Sequence, residues 1–260
     1  MTNNQIILTK DGFKYVTDLV PGKDYLVTRS GKFTKFLGYG DISNAEYSVT
    51  LSTGETFTLS GDTVIDISNV GYNDIDTMYQ ECDTVAFLTK HNQPIDFASK
   101  SKVGYPLQKC YDIGYRRNFD DLMSVPVTKF SLRQRKEIIA GLVDNGETTI
   151  GDECISLQIP QNMHCVIIYI LRSLGYSVHL SQDDQISFKP TIDCGLLPIR
   201  SRGKAQDVLY LSHKGDALVV YIAHIKECPI KNYYNLIIDS NESILLGYSL
   251  IPVYVQKRQD

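Results

Sequence analysis

The side chains with intrinsic reactivity are scattered along this chain. The six cysteines (Cys82, Cys110, Cys154, Cys165, Cys194 and Cys228) form no Cys-x-x-Cys pair, and the five histidines give no zinc-ligand spacing with them. Free cysteine behaves as a small apolar residue, so reduced and mostly buried thiols are expected. Arg116 and Arg117 stand together and could touch phosphate. Arg133, Arg135 and Lys136 form a second basic run, expected on the exposed face of a helix. These five are the candidate DNA contacts. Asp112, Asp120 and Asp121 flank the first pair and read as solvated loop acids. The whole-chain balance leans against strong DNA binding: 26 basic residues stand against 30 acidic ones, for a formal charge of -4, whereas duplex binders present excess Lys and Arg.

The elements that must position these residues fall into three stretches. Between residues 6 and 67, five β-rich segments (Ile6–Leu8, Tyr25–Thr28, Tyr47–Leu51, Thr56–Leu59, Val64–Ile67) alternate with turn pairs such as Asp11-Gly12, Pro21-Gly22 and Thr53-Gly54. Such short strands and regular turns indicate an all-β sandwich or barrel. After an irregular region, Ser131 reads as the N-cap of a helix with Leu132, Ile138, Ile139 and Leu142 on one face. Gly141 inside it costs about 1 kcal/mol against Ala, so something is expected to pack closely there. Ile155–Ile159 reads as a strand and residues 162–174 as an amphipathic helix capped by Gly175. A hairpin is expected around Asp183-Asp184. After Pro198 the pattern predicts strands again, at Val208–Leu211, Ala217–Ile225, Tyr233–Asp239 and Ser243–Tyr254. The fold class is therefore read as mainly β with an inserted α+β subdomain: residues 1–95 and 199–260 form the β domain, and 96–198 the insert. No run approaches the roughly 20 apolar residues that span a bilayer. Polar Met1–Gln5 carries no export signal. No membrane association and a cytoplasmic or virion-associated protein are expected.

Ile7 to Val27, with its Lys10-Asp11-Gly12 turn and Asp18-Leu19-Val20-Pro21-Gly22 stretch, resembles the opening of an intein; Tyr47 to Thr63 resembles the second intein block. Tyr233 to Asp239 and Ser243 to Ile251 resemble the terminal blocks. Arg133 to Glu147, centred on Ala140-Gly141-Leu142-Val143-Asp144, resembles the second LAGLIDADG helix of an intein-borne homing endonuclease, and Ile155–Ile159 followed by Met163–Gly175 resembles the strand and helix after it. The chain thus looks like an intein-type Hint β domain carrying a degenerate LAGLIDADG insert.

That resemblance implies two chemistries, and the matching positions lack the residues for both. Splicing needs an N-terminal Cys or Ser nucleophile, and neither Met1 nor Thr2 is a thiol; Met1 reads instead as the start of a free-standing chain. It needs a histidine in the second block, where Thr63 stands, and a final His-Asn pair, where Pro252 and Val253 stand. DNA cleavage needs an acid at the end of each of two packed helices to hold divalent metal. The acidic candidates are Asp144, which is also the candidate metal ligand, and Glu147, while the family spacing falls on Gly146 between them. The region Tyr111–Leu122 is the only place for a first helix, and it reads as too short, without an adequate small-residue face. The resemblance therefore implies a splicing-inactive, non-catalytic binding or structural module, of the kind a phage or virus reuses as an assembly component, whose partner is a protein assembly. The alternative is an endonuclease cleaving double-stranded DNA through a LAGLIDADG dimer. No cofactor is expected, or Mg²⁺ if cleavage survives.

Overall fold

The computed structural model describes residues 5–40, 46–52, 54–67, 71–75, 79, 85–87, 94–98, 102–180, 185–213, 220–228, 234–247 and 251–257. Met1, Thr2, Cys82, Tyr233 and the Asp183-Asp184 turn lie outside these. The chain is mostly β with several helices, and it divides into two compact units: Met1–Thr89 with Val219–Asp260, and Lys90–Leu218.

The first unit is built from β1 (Ile6–Thr9), β2 (Gly12–Tyr15), β3 (Tyr25–Val27), β4 (Phe33–Gly40), β5 (Glu46–Leu51), β6 (Thr56–Ser60), β7 (Val64–Ile67), β8 (Gly71–Asp74) and β9 (Val85–Phe87). The Asp11-Gly12 turn closes the first hairpin. Gly12 takes φ +117, a conformation that costs a side-chain-bearing residue dearly, and Thr9 hydroxyl donates to its carbonyl at 2.6 Å.

The second unit contains α1 (Leu107–Tyr115), α2 (Phe119–Met123), α3 (Leu132–Asp144), β10 (Thr148–Ile150), β11 (Ile155–Gln158), α4 (His164–Ser173), β12 (Ser177–Leu180), β13 (Gln185–Lys189) and α5 (Arg202–His213). From α3 onward the order is α-β-β-α-β-β-α, with an antiparallel sheet ordered β10-β11-β13-β12. Ser131 caps α3 through a reciprocal capping box with Gln134. Gly175, at φ +87, ends α4, with Tyr176 N–H donating to Leu171 carbonyl and Gly175 N–H to Arg172 carbonyl.

The chain then returns to the first unit through β14 (Val220–Cys228), β15 (Asn235–Ile238), β16 (Ile244–Leu246), β17 (Ile251–Tyr254) and β18 (Gln256–Lys257). These do not form a sheet of their own. β14 pairs with β5 and β9, β15 with β4, β16 with β1, and β17 with β7. Ile7, Leu26, Phe36, Val49, Ile65, Leu236, Ile244 and Val253, drawn from both flanks, make one buried core.

Two expectations are corrected. Val208–Leu211 lies in helix α5, not in a strand, and residues 90–95 and 199–218 go with the second unit, whose bounds are Lys90 and Leu218. Within α5, Val208 and Leu211 are buried while Leu209 and Tyr210 are exposed. Burial three residues apart is the helical period and outweighs the β preference of the Val-Leu-Tyr-Leu string. No helix among the described residues is long and apolar enough to cross a membrane.

Candidate functional site

The second unit's site is built on a seam between α1 and α3. A Cβ added to Gly141 would run into the Tyr111 carbonyl oxygen and stand 2.6 Å from Tyr115 N; one added to Gly114 would run into the Ile138 carbonyl oxygen and stand 2.8 Å from Leu142 N. Each glycine thus meets, on the other helix, the carbonyl three residues before and the amide one residue after its counterpart. The seam has a local two-fold, and only glycine fits on either side. A packed first helix therefore exists: α1 starts at Leu107, four residues before the stretch Tyr111–Leu122, and has a small residue, Gly114, at the crossing. The nine residues of α1 suffice because the crossing needs one glycine and not a long small-residue face.

Asp144, the last residue of α3, reaches across to α1. Its carboxylate accepts Tyr111 hydroxyl at 2.8 Å, Arg200 N–H at 2.7 Å and Ser201 N–H at 3.1 Å. Burial and Asp144 together push the Tyr111 phenol well above its ordinary range. Arg200 bridges the helices: its guanidinium lies 3.5 Å from the Tyr111 ring centre and donates to Gln108 on α1 at 2.7 Å and Glu137 on α3 at 3.1 Å. Lys204 Nζ donates to the carbonyls of Val143 and Asn145 at 2.7 and 2.8 Å.

The other candidates separate. Arg117, in the left-handed region at φ +56, ends α1 and pairs with Glu147, also donating to Gln158 carbonyl. A cavity of about 10 Å³ remains among Arg117, Asn145, Glu147 and Thr148, room for about one water. Arg116 and Arg133 are exposed. Arg135 is not on a surface at all. It is fully buried, donating to Ser173 carbonyl and hydroxyl and to Ile95 carbonyl, with its guanidinium 4.6 Å over the Phe97 ring. Burial lowers its pKa to about 10. The basic run lacks a common exposed face because its i and i+2 members point to different sides of a helix. Lys136 is half-buried and donates to Cys194 carbonyl at 2.7 Å. Among the described residues, no three His, Cys, Asp or Glu side chains gather as a metal cluster.

Gly114, Tyr111, Arg200 and Lys204 are not among the candidate residues that the sequence singles out. The available signal was the glycine of Tyr111-Asp-Ile-Gly-Tyr115, matched to Gly141.

In the first unit, Thr63 is buried and its hydroxyl lies 2.8 Å from that of Ser60. Pro252 and Val253 lie on β17, which pairs with β7 just beyond Thr63 (Val253↔Ile65, Tyr254↔Val64), and β16 on its other side joins β1. The positions matched to the splicing histidine and the terminal pair thus lie on and just before two adjoining strands, offset from each other in register, and hold Thr, Pro and Val.

No family model matches this chain, and no curated protein matches it.

Proposed function

We propose that this protein is a splicing-inactive, intein-derived Hint-like β domain carrying a degenerate LAGLIDADG insert, and that it serves as a non-catalytic binding or structural module whose partner is a protein assembly. The carrying observation is the use made of Asp144. Gly146 stands where the metal-binding acid would, and three donors within the protein take up the carboxylate of the nearest acid on the helix, Asp144, so that it holds the approach to α5 instead of metal and phosphate. The α-β-β-α-β-β-α order after a glycine-to-glycine helix seam supports the insert reading, and the joining of β1, β16, β17 and β7 supports the Hint reading.

Counting along the local two-fold supports the loss of cleavage. The position five residues after each seam glycine, where the family spacing puts the metal-binding acid, is Gly146, two residues past the end of α3, and Phe119, the first residue of α2. On the sheet's outward face Thr149, Ser156, Ser187 and His179 form an uncharged cross-strand row beside Lys189, a single step further along β13; burial and Arg172 hold the His179 pKa down. Duplex affinity comes mostly from Lys and Arg on phosphate, and this row offers none.

Two assays test the reading. Plasmid incubated with Mg²⁺ or Mn²⁺ should stay supercoiled, and the chain placed between two reporter domains should be recovered by mass spectrometry as intact fusion. Metal-dependent nicking lost in Asp144→Asn would restore the endonuclease reading, and ligated reporters would restore splicing.

A further inference from the structure

The chain's one Asn-Gly pair, Asn145-Gly146, stands just past the C-terminal end of α3. Such a pair is open to an internal acyl transfer, because glycine puts no Cβ beside the backbone nitrogen that attacks the asparagine side chain. The Gly146 nitrogen gives its proton to solvent hydroxide and bonds to Asn145 Cγ. The Cγ–Nδ2 bond breaks, and the departing nitrogen takes a proton from water and leaves as ammonia, which restores the hydroxide. Water then opens the five-membered succinimide at either carbonyl, leaving an aspartyl or a β-linked isoaspartyl residue.

Three hydrogen bonds hold the reacting groups apart. Asn145 Nδ2 donates to the Tyr115 carbonyl, at the end of α1, at 2.8 Å, and Asn145 Oδ1 accepts Glu147 N–H at 3.0 Å. The Asn145 carbonyl accepts Lys204 Nζ at 2.8 Å. A planar peptide moves as one body, so pinning that oxygen also pins the Gly146 nitrogen. At ψ 146 the nitrogen is turned away from the side chain, and ring closure requires the plane to swing and the Lys204 bond to break. Gly146 is exposed, and a Cβ there would meet open space, so solvent hydroxide reaches the nitrogen.

We propose that Asn145 is a deamidation site gated by the hydrogen bonds that close this end of the α1–α3 seam. While they hold, the ring cannot close; when the helix ends part, the amide reacts. The product sets a carboxylate oxygen against the Tyr115 carbonyl, acceptor against acceptor. The seam then closes less well, and a chain that has once opened carries a permanent mark.

The full chain is held in mildly alkaline buffer with rising urea. Amide loss at position 145 is followed by peptide mass spectrometry, and isoaspartate by enzymatic methylation of its α-carboxyl. In full urea position 145 should react before any other asparagine; in buffer alone it should react at least about tenfold more slowly. Lys204→Met, which frees the peptide plane, should react at least about threefold faster than wild type in buffer and alike in full urea. Gly146→Ala should be slow in both. Asn145→Asp, the α-linked product, should lower the apparent Tm by about 2–4 °C. If Lys204→Met does not fold, the wild-type urea series decides alone. The proposal is overturned if wild type loses the amide as fast in buffer as in full urea, if folded Lys204→Met reacts no faster than wild type, or if Asn145→Asp is as stable as wild type.

Discussion

Glycine at 114 and 141 is a requirement of backbone against backbone, so neither neighbour can yield by changing a rotamer. Ordinary overpacking costs about 1–3 kcal/mol, and Gly114→Ala should sit at the upper end of that range or above in urea melts. Gly141→Leu should be worse. Because the two glycines share one seam, the losses should not add: once Gly114→Ala has parted the helices, Gly141→Ala should cost less than it does alone. Full additivity would mean that the two crossings are independent and the seam is misread. Asp144→Asn keeps one acceptor oxygen but turns an NH₂ toward a donor, so it should cost about 1–3 kcal/mol with no change in plasmid integrity. A stability equal to wild type would show that the carboxylate does not anchor the start of α5.

The helices α1 and α3 are related by the seam yet differ on their outer faces, and the difference explains what was legible in the sequence. On α3 the stripe Arg135, Ile139 and Val143 is fully buried; the matching stripe on α1 is Gln108, Asp112 and Arg116, half-buried or exposed. Among the described residues no sheet covers the outer stripe of α1, and that polar stripe asks for none, which is why the region read as loop. The capping box of α3, the glycine end of α4 and the short strands of the first unit were legible because each is set by local chemistry. Helix α5 was not, because its start is fixed by Asp144, far away in sequence. Helix α1 also sets an alkaline limit. Burial pushes the Cys110 thiol up to about 11 from an ordinary 9.0, and raises the Tyr111 phenol. A raised folded pKa means that the folded state holds its proton longer. The stability from Cys110 is therefore fully present below pH 9 and lost as pH rises toward 11. Urea midpoints should fall from about pH 9 upward, and Cys110→Ala, though less stable at neutral pH, should show a flatter start to that fall. An unchanged alkaline limb would remove Cys110 as its cause.

At the scale of the whole chain, the first unit is discontinuous in sequence and continuous in its hydrogen bonding. Four strands of the C-terminal flank pair directly with N-terminal strands, so neither flank has a complete sheet alone. The chain leaves and rejoins this unit at adjoining points: Phe87 on β9 faces Val220 on β14 across an antiparallel ladder, where facing Cα atoms are about 4.5–5.5 Å apart. A hairpin loop of about two to five residues closes such a gap. Replacing residues 89–218 by a short Asn-Gly-containing loop should therefore leave a folded β protein. It should unfold cooperatively, with a urea m-value reduced roughly in step with the smaller surface exposed, and with far-UV circular dichroism stripped of its helical component. Truncation before Val219 should instead leave the N-terminal flank unfolded, because β1, β4, β5 and β7 each lose a partner strand. The outcome that would sink this account is a truncated N-terminal flank that folds by itself, or an excised chain that stays unfolded while its β9–β14 loop is long enough to close.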